Sequence, residues 1–67
     1  MTGLTPNQLR LLGELEHHGG ALIVRPRRAD RDDYELLETM DLVEAHVMHP
    51  GEIRYEITEV GRVALSQ

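Results

Sequence analysis

With 67 residues the chain has room for one domain, and a domain of that size buries only about 60% of the surface its unfolded form exposes. It contains no cysteine, which excludes disulfides and thiolate metal sites, and no apolar run near the roughly 18 residues of a membrane span. Its net charge of −5, from 12 acidic and 7 basic residues, opposes non-specific attraction to a polyanion.

The first element is a helix over Leu4–His18. Thr5 suits the N-cap, Pro6 the first helical position, and Gln8 stands three residues after Thr5 to complete a capping box. Leu4 and Leu9 occupy the positions of a hydrophobic staple, and Leu9, Leu11, Leu12 and Leu15 form an apolar stripe. His17 and His18 complement the C-terminal end of the helix dipole, and Gly19-Gly20 stops the helix. Gly13 is costly inside a helix, and close approach of another helix would explain it. Residues 21–25, "ALIVR", are too short for a helix between a glycine pair and Pro26, so they predict a strand. Asp30 then reads as the N-cap of a second helix over 31–40, with Asp32 and Asp33 in its first turn. Tyr34, Leu36, Leu37 and Met40 supply its buried face.

"LVEAHVM" and "EIRYEI" alternate in polarity about "HPG", the pattern of a β-hairpin. Cross-strand neighbours share a face, so the register must pair odd residues with odd. A loop of His49-Pro50-Gly51 pairs 47 with 53, 45 with 55 and 43 with 57, which puts six apolar residues on one face. A two-residue Pro50-Gly51 turn would put Val47 opposite Arg54, and because Pro50 sits awkwardly in the usual three-residue turn the tip is expected to be wider or bulged. Thr58 caps a last helix over 59–66. The expected fold class is α+β: one small domain spanning residues 1–67, in the order α-β-α-β-β-α.

The stretch "LLETMDLVEAHVMHPGEIRYEITEVGRVALSQ" resembles the second half of winged-helix transcriptional regulators, above all those of the MarR and PadR kinds. The residues that carry the likeness are Leu36-Leu37, the Leu42-Val43-Glu44 entry to the wing, Tyr55-x-Ile57, and Thr58-x-x-Gly61-Arg62-x-x-Leu65. The Leu4-Thr5-Pro6-x-Gln8 helix start is similar to the opening of such domains. The resemblance implies a winged-helix-like fold with a β-hairpin wing, and a role in bacterial or phage gene regulation. Where those domains carry the first part of a helix-turn-helix, this chain has "GGALIVRPRRADRDD". Pro26 and the β-branched run oppose a helix there, so a shortened, strand-containing centre is expected.

Charge divides the functional readings. Residues 25–31 hold four arginines against one aspartate, a net +3, which leaves −8 for the rest of a −5 chain. The leading expectation is a DNA-associated regulator in which Arg25, Arg27, Arg28 and Arg31 meet phosphates, with Arg54 near the wing tip. Such contacts position a protein without reading sequence. The second helix offers Asp32, Asp33, Glu35 and Glu38, which suit a major groove badly. The alternative is therefore a protein-interaction module using Asp32, Glu35 and Glu38, in the manner of phage-encoded inhibitors that imitate nucleic-acid phosphates. A homodimer is expected from the small core and the leucine-rich first helix. Tyr34 and Tyr55 fall at core positions. No set of residues supports catalysis, and no cofactor is expected. No metal is expected either, because His17, His18, His46 and His49 show no convergence by spacing. With no leader pattern at the N-terminus, a cytoplasmic location is expected.

Overall fold

A computed structural model describes residues 3–25 and 29–66. Among them run α1 (Pro6–His17), β1 (Ala21–Val24), α2 (Arg31–Thr39), β2 (Val43–His49), β3 (Glu52–Ile57) and α3 (Glu59–Leu65). The architecture is α+β, three helices with one three-stranded antiparallel sheet in the order β1-β3-β2. No helix among the described residues is long and apolar enough to cross a membrane.

Local chemistry sets the helix ends. The Thr5 hydroxyl accepts from the Gln8 amide at 3.1 Å, and the Gln8 side chain accepts from the Thr5 amide at 3.0 Å, which completes the capping box. At the far end Gly19 turns left-handed, φ 81°, and the Gly20 amide returns to the Leu15 carbonyl at 2.7 Å. α2 ends the same way without a glycine. Asp41 takes φ 62°, the Leu42 amide reaches the Leu37 carbonyl and the Asp41 amide reaches that of Glu38, each at 3.0 Å. At the start of α2 the expectation fails in part. Asp30 occupies the N-cap position, but its side chain makes no capping bond and instead lies 3.5 Å from Arg10 of α1.

The hairpin register is the expected one, pairing Val43 with Ile57, Ala45 with Tyr55 and Val47 with Ile53. The tip is tighter than a three-residue loop. His49 pairs with Glu52 across Pro50-Gly51, and an irregularity between Val47 and His49 restores the odd-with-odd pairing further in. β1 adds Leu22 opposite Tyr55 and Val24 opposite Ile53. One face of the sheet thus carries Leu22, Val24, Val43, Tyr55 and Ile57, all buried or half-buried under the helices, while Ile23, Glu44 and His46 on the other face are exposed.

Leu11, Leu12, Leu15 and Leu37 are buried in the core, together with both tyrosines, Val24, Leu42, Val43 and Ile57. Leu11, Leu12 and Leu15 of the α1 stripe are therefore buried within the chain, and Leu9 is half-buried. Gly13 meets no close neighbour, since a Cβ there would find nothing within 4 Å. Gly61 is the opposite case. A Cβ at Gly61 would overlap the Leu42 carbonyl and come within 2.8 Å of Ile57 Cγ1. Thr58 closes this junction: its hydroxyl accepts from the Gly61 amide at 3.0 Å and donates to the Asp41 carbonyl at 2.7 Å, and its amide donates to Leu42 at 3.1 Å. The two glycines should respond to alanine in opposite directions. Denaturant unfolding should show Gly61→Ala destabilising by about 2–3 kcal/mol through overpacking, and Gly13→Ala stabilising by about 0.5–1 kcal/mol through helix propensity.

Candidate functional site

The outward side of α2 combines charge with apolar surface. Asp32, Glu35 and Glu38 are exposed at helical spacing, and Leu36 and Met40, one turn apart, are 52% and 41% exposed among them. The expectation that Leu36 and Met40 belong to the buried face is corrected here. Tyr34 and Leu37 alone take that role, because a nine-residue helix lying on one sheet edge turns only a narrow stripe inward. Beside them on the edge strand β2, Ala45 is exposed and Val47 is 76% exposed, although their face of the sheet is the one that is buried further along.

Three contacts hold α2 in place. Tyr34 stacks on Tyr55 of the central strand with ring centroids 5.0 Å apart and planes 18° from parallel. Its hydroxyl donates to Glu14 of α1. At the start of the helix, Asn7 donates to Asp33, and Arg10 bonds Asn7 at 2.7 and 3.1 Å while facing Asp30. Two of the aspartates near the arginine segment are thus engaged by α1.

The arginines do not form one surface. Arg25 continues the line of β1, its side chain 81% exposed with Nε 3.6 Å from Glu52. Arg54 lies on the open face of the sheet, Nη1 3.1 Å from Glu56 Oε1. Arg31 is turned to the other side: its side chain is only 19% exposed, and its Nε lies 3.9 Å from Glu35. Arg27 and Arg28 fall outside the described residues.

One cluster was not anticipated. Glu44, His46 and Glu56 bring one ligand atom each to within 4.8 Å of one another on the open face of the sheet. The reading of the histidines by spacing alone missed it, because the partners come from two strands. The predicted hairpin register contained the signal: it places 44 opposite 56 and 46 opposite 54, all on one face.

Neither a protein-family model nor a curated protein matches the chain.

Burial raises the pKa of Tyr55 above its ordinary value near 10, the carboxylates of Glu35 and Glu38 push the same way, and the Arg31 guanidinium opposes them. The folded chain therefore holds the phenol proton longer than the unfolded chain does. Stability is fully present below pH 10 and is lost as pH rises beyond it. The chain has no lysine, so its two tyrosines dominate this range. Urea unfolding between pH 9 and 11.5 should show a steady fall in stability, with a shallower slope in Tyr55→Phe.

Proposed function

We propose that this chain is a non-enzymatic protein-docking module built on a winged-helix-like frame, with the exposed side of α2 as its docking surface for a basic partner. The frame reading rests on the sheet order β1-β3-β2, on the β2–β3 hairpin as the wing, and on α2 at the position of the reading helix. The observation that carries the function is the outward face of α2. Asp32, Glu35 and Glu38 flank exposed Leu36 and Met40 on one side, a combination that repels phosphate and favours a cationic partner with apolar anchors. Arg25, Arg31 and Arg54 each have a glutamate within 4.0 Å, which lowers their worth as phosphate contacts.

A second reading keeps one observation in its favour. Arg25 stays largely open to solvent beside Glu52 and leads directly into Pro26-Arg27-Arg28, so a DNA-backbone contact through this segment is the alternative.

A two-arm titration separates them. Amide shifts are followed as the protein receives a peptide of alternating arginine and leucine, or a mixed-sequence duplex, at low and moderate salt with mass measured in the same buffers. The docking reading expects shifts at Asp32, Glu35, Leu36, Glu38 and Met40 with the peptide, at least about tenfold weaker binding in Glu35→Lys/Glu38→Lys, and no response to duplex. Duplex binding that weakens in Arg25→Ala/Arg27→Ala/Arg28→Ala and whose salt dependence flattens would establish the alternative.

A further inference from the structure

The open face of the sheet carries a constellation that the docking reading does not use and that is independent of it. Glu44 and Glu56 are direct cross-strand partners. Like charges directly opposite each other destabilise a sheet unless a cation lies between them. His46, two residues beyond Glu44 on the same face, turns Nε2 toward both: 3.6 Å from Glu44 Oε2 and 3.8 Å from Glu56 Oε1. The backbone register sets these positions, and all three side chains are roughly half exposed, so a cation can reach them from solvent.

We propose that Glu44, His46 and Glu56 form a surface site for a divalent transition-metal ion, with zinc as the best fit. A tetrahedral zinc ion with bonds of about 2.0–2.2 Å to nitrogen and oxygen holds its ligand atoms roughly 3.4 Å apart. The observed 3.6 and 3.8 Å separations need only small side-chain rotations to reach that spacing. One imidazole with two carboxylates favours zinc, copper or nickel over magnesium and calcium, which prefer all-oxygen shells. The two carboxylates also neutralise the ion and remove their mutual repulsion. Water completes the shell on the solvent side.

Arg54 sets the strength of the site. Its Nη1 lies 3.1 Å from the same Glu56 oxygen that faces His46, so guanidinium and metal compete for that carboxylate. Removing the arginine should therefore tighten metal binding, and selectivity for zinc over magnesium together with the His46 dependence separates coordination from simple charge attraction.

The test is calorimetric titration of the intact chain with zinc chloride, with magnesium chloride as the comparison and histidine ring resonances followed in parallel. The expected result is one zinc per chain, no magnesium binding at the same concentration, and a zinc-induced shift of the His46 ring ahead of His17, His18 and His49. His46→Ala should weaken binding about tenfold or more, since even outer-shell changes cost that much at metal sites. Glu44→Gln should act likewise, and Arg54→Gln should strengthen binding. These residues sit on the open face, and thermal unfolding without metal checks that each variant still folds. Zinc affinity unchanged in His46→Ala, no zinc binding, or ring shifts confined to His17 and His18 would overturn the proposal.

Discussion

The stack of Tyr34 on Tyr55 is the contact on which the placement of everything else turns. Tyr55 sits in the central strand, paired with Leu22 of β1 on one side and Ala45 of β2 on the other, and Tyr34 is the residue that α2 plants on it. The phenol of Tyr34 then reaches Glu14, so one side chain ties the second helix to the sheet and to the first helix. Offset or near-parallel aromatic pairs contribute about 0.5–1.5 kcal/mol beyond their buried area. That is a sizeable share in a domain with so small a core. The outward orientation of Asp32, Glu35 and Glu38 is the other side of the same anchoring. Once Tyr34 and Leu37 face the sheet, helical geometry leaves those carboxylates in solvent.

The charge pattern changes meaning when the elements are assembled. In the linear chain, "RPRRADRDD" suggests arginines and aspartates that either cancel or separate into a basic arm and an acidic helix start. In the fold, α1 draws Asp30 and Asp33 toward itself through Arg10 and Asn7, Arg31 turns in to Tyr55, and Arg25 lies along the sheet beside Glu52. Exposed ion pairs of this kind are worth little individually. Their effect is to decide which charges remain available at the surface, and on α2 those are carboxylates.

Much of the fold was legible because local rules act independently of tertiary context. A capping box, a glycine stop and period-two alternation each need only neighbouring residues, and parity fixed the hairpin register without knowledge of the tip. Less local features were not legible. Nothing in Met40-Asp41 distinguishes an aspartate that will adopt a left-handed turn, and the bulge before His49 follows from closing Pro50-Gly51 tightly. Gly61 looked like part of a family pattern, yet its requirement comes from the Leu42 carbonyl packed against it. Leu36 and Met40 carry a helical apolar spacing that predicts burial, and only the narrow seat of α2 on the sheet leaves them exposed. The candidate sites followed the same division. The acidic helix face could be read from spacing, whereas the Glu44–His46–Glu56 grouping required two strands to be laid side by side.

The sheet order has a consequence for how the molecule is made. The middle strand is the last to be synthesised, so β1 has no strand to pair with until residues 53–56 exist, and Leu22 waits more than thirty positions for Tyr55. Only the hairpin closes over a short loop; the rest of the sheet depends on contacts distant in sequence, which form slowly because long loops must close first. During translation the apolar "ALIV" segment is therefore without its sheet partner until β3 is made. A chain cut short before residue 52 would lack the strand that joins the other two.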